Sequence, residues 1–255
     1  MLYKIILTIL CYNPYMTRLF VDYKIEENTD FALDKEDSKY ISSVLRMREG
    51  EELVVVDGTG YEIVASVSSV SKDSVVLRAV SRRVCVSESP CKITLYQSVS
   101  KGERMDLTIQ KSVELGVYRI VPVFSSRCVV RPGKDSKIDR WQKIALEAAR
   151  QSGRGIIPSV SAPMTFKEAL ADAASSEMKL FPWEEEHGRT LKQVLGDSSF
   201  SSAAVFIGPE GGFSEEEAAL ASSSGLSLVT LGKRILRTET AGPAVLAMLL
   251  YHNEL

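Results

Sequence analysis

Apolar and polar positions follow two different rhythms along this chain, and the change falls near residue 88. Before it, short runs and period-two alternation dominate. Residues 53–56 and 61–64 flank Asp57-Gly58-Thr59-Gly60, which predicts a strand–turn–strand hairpin, and residues 75–80 continue the meander. One helix is predicted inside this β-rich stretch, over 34–47, stopping before Gly50. Residues 87–90 are polar, carry Pro90 and read as a linker.

Beyond the linker, strands and helices alternate. Strands are predicted at 93–99, 119–124, 178–181, 203–207 and 226–231. Between them, residues 103–115 form a helix with Met105, Ile109 and Val113 on one face and Gly116 as its stop. Further helices are predicted at 137–151, 165–174, near 190–195, and at 241–251 with Pro243 in the first turn. Ser214 followed by Glu215, Glu216 and Glu217 is a capping box that starts another. This pattern predicts an α/β class with a parallel sheet. The predicted organisation is an N-terminal extension over 1–15, a small β-rich domain over 16–88 and an α/β domain over 89–255. The extension has one lysine and a brief apolar core, without the small-residue cleavage site of a signal peptide, and Met16 reads as the natural start.

Composition narrows the class without naming a function. The chain has 255 residues, 45% hydrophobic and 25% charged, with a net charge of −2. No apolar run reaches the length of a membrane span. The four cysteines (Cys11, Cys85, Cys91, Cys128) form no CxxC pair and read as reduced thiols of a cytoplasmic protein. His187 and His252 are the two histidines and neither lies in a ligand motif, so neither a metal site nor a Ser-His-Asp hydrolase is expected. The small net charge conceals an asymmetry: residues 82–154 hold 15 Lys/Arg against 7 Asp/Glu, a net of +8. Residues 155–232 hold 4 against 11, a net of −7. The basic segment admits nucleic acid as a partner and reads equally as a solvated face.

The candidate chemistry sits in two loops of the last quarter. One is Ile207-Gly208-Pro209-Glu210-Gly211-Gly212-Phe213-Ser214; the other runs from Leu231-Gly232-Lys233-Arg234 through Ile235-Leu236-Arg237 to Thr238-Glu239-Thr240-Ala241. Each follows a predicted strand and precedes a predicted helix, which puts both at strand carboxyl ends, where open α/β sheets bind ligands. Three glycines and a proline in five residues leave backbone groups accessible. Three glutamates at the following helix start oppose a triphosphate, and neither a Walker A loop nor GxGxxG is present. A neutral or cationic ligand such as S-adenosylmethionine suits the loops; two tight structural turns explain them as well.

Taken together, Gly208-Pro209-Glu210-Gly211-Gly212 and the segment Leu231-Gly232-x-Arg234-Ile235-Leu236-Arg237-x-Glu239-Thr240-Ala241 resemble the signature of the RsmE family. These are SPOUT-class methyltransferases that modify uracil N3 in 16S ribosomal RNA. The likeness extends to residues 44–48, 101–106, 110–116, Arg127-Cys128, 147–149 and 151–154, and so covers about residues 17–251 in order. The resemblance implies a PUA-like β-barrel followed by an α/β domain with a C-terminal trefoil knot, S-adenosylmethionine as cofactor, and a homodimer. Residues 1–15 have no family counterpart. Tyr40 stands where a histidine is common, and Arg150 where an acidic residue is common.

By the same resemblance, cofactor contacts fall on Leu180, Phe181 and Pro182, on Ile207, Gly208, Pro209, Gly211 and Gly212, and on Leu231, Gly232, Ile235, Leu236 and Thr240. Arg237 is expected to steer the uracil or its developing charge, and Glu239 or Glu210 to accept the proton. Glu210 reads equally as a clamp on loop amides, and Glu239 as an ion-pair partner of Arg234 or Arg237. RNA contacts are expected from Arg18, Arg46 and Arg48 in the β-rich domain and from Lys101, Arg104, Arg127 and Arg154 in the α/β domain. The rival readings are a knotted enzyme acting on a ribose 2′-hydroxyl or another RNA, and a non-catalytic RNA-binding protein on this scaffold.

Overall fold

Val54, Val55 and Val56 are fully or almost fully buried, as β-branched residues of a central strand should be, and the small unit is built around them. In the computed structural model, which describes residues 16–71, 73–129 and 136–254, this unit is a mixed five-stranded sheet. Its strands are β1 (Arg18–Phe20), β2 (Asp30–Ala32), β3 (Glu52–Val56), β4 (Tyr61–Val70) and β5 (Val75–Val84), ordered β1-β3-β4-β5-β2. The predicted hairpin is β3–β4, with Val54 opposite Val64 and Val56 opposite Glu62. Register shifts between Val64/Ala65 and Val67/Ser69 add local twist to the β4–β5 pair, which encloses a core of Leu19, Ile41, Leu53, Ile63, Leu77 and their neighbours. The predicted extension, residues 1–15, lies outside the described residues.

The helix expected over 34–47 is shorter and irregular. Asp34 caps helix α1 (Lys35–Lys39) by accepting from Asp37 N–H, and a single π turn follows over Tyr40–Val44. Arg46 then takes the left-handed conformation at φ +56°, and Met47 N–H bonds back to Ile41 O at 3.0 Å. That bond closes a seven-residue loop around a left-handed residue, a conformation that glycine usually supplies at a helix stop, so the helix ends before Met47.

The chain divides into two compact units. One runs to Glu88 and takes in Gly153–Ile156; the other comprises Ser89–Ser152 and Ile157–Leu255. The second is an α/β unit. Its strands are β6 (Lys92–Ser98), β7 (Arg119–Phe124), β8 (Ser159–Val160), β9 (Met164–Thr165), β10 (Met178–Pro182), β11 (Ser202–Ile207) and β12 (Ser227–Val229). They form one sheet of order β12-β10-β11-β6-β7-β8, with β9 also on β7, and every ladder is parallel. The helices are α2 (Arg104–Glu114), α3 (Ser136–Ser152), α4 (Phe166–Asp172), α5 (Leu191–Leu195), α6 (Glu215–Ser223) and α7 (Thr238–Glu254). Tyr96 and Phe206 stack at 4.4 Å, and Phe181 and Phe213 at 4.3 Å, in the core on one side of the sheet.

Two boundaries differ from expectation in ways that matter for the site. β12 ends at Val229, so Thr230 and Leu231 belong to the loop that follows. Helix α7 begins at Thr238, three residues before the predicted start, which places Thr238, Glu239 and Thr240 in a rigid first turn. Pro243 therefore lies one turn deeper than predicted, where its missing N–H removes a bond to Glu239 O.

Candidate active site

A parallel sheet sends the carboxyl ends of all its strands to one edge, and here β10 lies between β11 and β12. The loops after these three strands therefore converge although they start from residues far apart in sequence. Gly212 N–H bonds to Pro209 O at 3.0 Å and Gly212 adopts φ +66°, which closes the first loop into a tight turn. In the second loop Gly232 takes φ +114° and its N–H bonds to Thr230 Oγ1 at 3.2 Å. Trp183 N–H ties the end of β10 to Val229 O at 3.0 Å.

Between these loops lies a cavity of about 320 Å³, walled by Pro182, Trp183, Ile207, Gly208, Pro209, Gly212, Leu231, Gly232, Ile235 and Leu236, with Glu184, His187, Thr230, Lys233, Arg234, Thr238 and Ala241 completing it. Most of the wall is apolar or bare backbone. The indole N–H of Trp183 is buried and has no hydrogen-bond partner among the described residues. A Cβ on Gly208 would come within 3.3 Å of the Gly212 carbonyl carbon and 3.2 Å of the Phe213 ring. Close apolar walls, accessible main chain, an unused donor and the Glu184 carboxylate fit an adenosyl group joined to a sulfonium amino acid.

A second cavity, of about 550 Å³, shares Glu184, Pro209, Gly212, Ile235, Leu236 and Thr238 with the first and adds Arg104, Glu210, Gly211, Arg237 and Glu239. Glu210 Oε1 accepts from Lys101 N–H at 3.0 Å and from Arg104 Nη1 at 2.5 Å. Burial alone would raise its pKa. The Lys101 and Glu210 N–H bonds and the Arg104 guanidinium outweigh that and hold the carboxyl below the usual range. Glu239 has a mostly buried side chain whose Oε2 lies 3.8 Å from Arg104 Nε and accepts no hydrogen bond among the described residues. Its ion-pair partner is thus Arg104, and neither Arg234 nor Arg237. Arg237 is exposed and forms no ion pair among the described residues. Behind this wall Arg127 Nη1 donates to Gly211 O at 2.9 Å, and Glu217 accepts from Ser126 N–H at 2.7 Å while completing the capping box with Ser214.

Most expected cofactor residues meet at the first cavity, with four exceptions, of which Gly211 lines only the second. Leu180 and Phe181 are fully buried with their side chains in the sheet core, where Phe181 stacks on Phe213. Thr240, on the first turn of α7, lines neither cavity. Two expected RNA contacts require correction. Arg18 is 7% exposed and pairs at 2.7 Å with Glu62, itself 1% exposed and also held by Arg83 at 2.5 Å. Arg154 is 3% exposed and grips Glu88 through Nε at 2.8 Å and Nη2 at 2.7 Å. Both are interior ion pairs rather than RNA-facing groups. Lys101, Arg46, Arg48, Arg104 and Arg127 are all exposed, and the last two also brace the loops. Sequence reading passed over Trp183, Glu184, His187 and Thr238; the first three follow the short strand β10 directly, and that position was the available signal.

The fold and these paired cavities define an RNA methyltransferase. The model of the RNA methyltransferase domain matches residues 87–250, and that of the RNA methyltransferase PUA domain matches residues 33–80. The ribosomal RNA small subunit methyltransferase E of Bacillus subtilis (strain 168) is 32% identical over 251 residues, covering 94% of this chain and 98% of its own length. That of Buchnera aphidicola (subsp. Acyrthosiphon pisum) is 31% identical, covering 93% and 94%. The crystal structure of the Neisseria gonorrhoeae homologue bound to S-adenosyl methionine superposes with a TM-score of 0.86 at 36% identity, covering 94% of this chain and 98% of that one. The chain belongs to the ribosomal RNA small subunit methyltransferase E (RsmE) family, and its SPOUT-type α/β domain follows a PUA-like domain as the resemblance implied.

Proposed function

We propose that this protein transfers the methyl group of S-adenosylmethionine to N3 of a specific uridine in 16S ribosomal RNA of the small subunit. The observation that carries the reading is the shared wall between an apolar, main-chain-rich cavity and a charged one that presents the unpaired Arg237. When bound, the donor supplies a methyl already activated on a sulfonium. The protein's task is alignment, proton removal and charge stabilisation. Pro182, Trp183 and the glycine-bearing turns hold the donor. Arg237 meets the uracil oxygen on which negative charge develops as N3 loses its proton. The proton goes to Glu239, whose Oε2 accepts no hydrogen bond among the described residues; Glu210, already gripped by Arg104 and Lys101 N–H, keeps the loops together instead.

RNA affinity comes from Arg46, Arg48 and Lys101 on exposed surface, so it should fall with rising salt. The protein acts as a homodimer: Leu107 on α2 and Leu115 just past its end, with Met248 and Tyr251 on the adjoining α7, leave large apolar side chains exposed. No helix among the described residues is long and apolar enough to cross a membrane, and a ribosomal substrate places the enzyme in the cytoplasm.

The test is labelled methyl transfer to small ribosomal subunits lacking the modification, followed by nucleoside analysis. Label in 3-methyluridine is the expected result. Label in a 2′-O-methyl nucleoside, or no transfer despite donor binding, overturns the reading in favour of another knotted enzyme or a non-catalytic binder.

A further inference from the structure

Strand β6 ends in polar residues that the interior should not favour: Gln97 and Ser98 are fully buried, and Ser100 just beyond the strand is 5% exposed. Gln97 Nε2 donates to Thr238 Oγ1 at 2.8 Å, and Thr238 Oγ1 donates to Gly208 O at 2.6 Å. The direction of this relay follows from chemistry. A carbonyl only accepts, so the Thr238 hydroxyl proton points at Gly208, and the hydroxyl oxygen must then receive a proton from the Gln97 amide. With its NH2 so turned, and also 3.2 Å from Ser98 O, Gln97 leaves Oε1 buried without a donor among the described residues. An unpaired interior acceptor destabilises a fold, and an apolar side chain at 97 would avoid it. The arrangement thus works against stability while joining three segments of the site.

We propose that Gln97 is a positioning residue for methyl transfer. Through Thr238 it fixes the first turn of α7 against the Gly208 turn, and so sets Arg237 and Glu239, the two neighbours of Thr238, in register with the donor cavity. The inference rests on the function proposed above. A residue serving stability alone would be expected to satisfy its own hydrogen bonds; this one satisfies the site's.

Three variants test it: Gln97→Met, Thr238→Val and Thr238→Ser. Each is compared with wild type for donor binding by calorimetry, for kcat and KM on small ribosomal subunits, and for thermal midpoint. Gln97→Met should keep or raise the midpoint and bind donor at full stoichiometry, yet lose roughly tenfold in kcat with KM little changed. Thr238→Val should lose at least as much, and Thr238→Ser should recover to within about threefold. If Thr238→Val does not fold, Gln97→Met decides alone. The proposal is overturned if Gln97→Met turns over within about threefold of wild type, or if its activity loss equals its loss of donor-competent protein. Wild type that neither binds donor nor methylates rRNA refutes the proposed function instead, so the two failures are distinct.

Discussion

Arginines do opposite work in the two units. In the small β-rich unit Arg18 is buried against Glu62, and Arg154 is buried against Glu88, whose Oε1 also takes Gly155 N–H at 2.7 Å. In the α/β unit Arg104 and Arg127 brace the cavity-lining loops, and Arg237 has no ion-pair partner among the described residues at the cavity. A guanidinium inside a small domain is structure; one unpaired beside a cavity is available to a ligand. Charge counted along the sequence cannot separate the two, because what separates them is a carboxylate many residues away.

This contrast is open to breakage, beginning with the largest effect. Glu62→Ala removes the carboxylate that Arg18 and Arg83 share. Unfolding free energy should drop by about 3–5 kcal/mol by chemical denaturation, because a buried charge loses its partner. Donor affinity per folded molecule should not change; a barely altered midpoint would mean the pair is not structural. Arg237→Ala should do the reverse, leaving the unfolding midpoint in place and donor affinity within a few-fold, while single-turnover transfer falls by about a hundredfold. Transfer near the wild-type rate would remove Arg237 from the mechanism.

Arg46 sharpens the comparison because it belongs to the small unit yet is exposed and held at φ +56°. Arg46→Gly relieves a left-handed conformation that costs of order 1 kcal/mol. It should therefore fold at least as well as wild type while RNA affinity drops and the slope of log affinity against log salt shrinks by about 1. Unaltered RNA binding would make Arg46 only a helix stop. The smallest effect is acid-dependent. The folded pKa of Glu210 is depressed, so its bracing of Lys101 and Arg104 is fully present above the ordinary glutamate value of about 4.3 and is lost as pH falls through the lower folded value. Amide exchange at Lys101 should stay slow from neutral pH down into that range, and Glu210→Gln should show faster exchange at neutral pH. Equal exchange in the two proteins would exclude the brace.

Sequence reading located the two loops that line the cavities because their signals are local. Ser214 and Glu217 form the expected capping box, and β11 and β10 end where apolar runs end. The Asp57–Gly60 hairpin turn was legible for the same reason. The misses have a common cause. The stop at Arg46 needs a left-handed arginine that no propensity announces, and the two-residue strands β8 and β9 carry no period to detect. Gln97 and Thr238 lie 141 residues apart, so their hydrogen bond has no local signature.

The parallel order of the large sheet also bears on how the chain is made. Its central ladder joins Lys92 to Ser202 and Gln97 to Ile207, so that core remains open until the later strand has left the ribosome. The smaller unit waits too, since Glu88 collects Arg154, Gly155 and Ile156 from well downstream. Long-range pairing of this kind slows folding and prolongs the exposure of unpaired strand edges. Biogenesis of this protein should therefore depend more on chaperone supply and on growth temperature than its equilibrium stability would suggest.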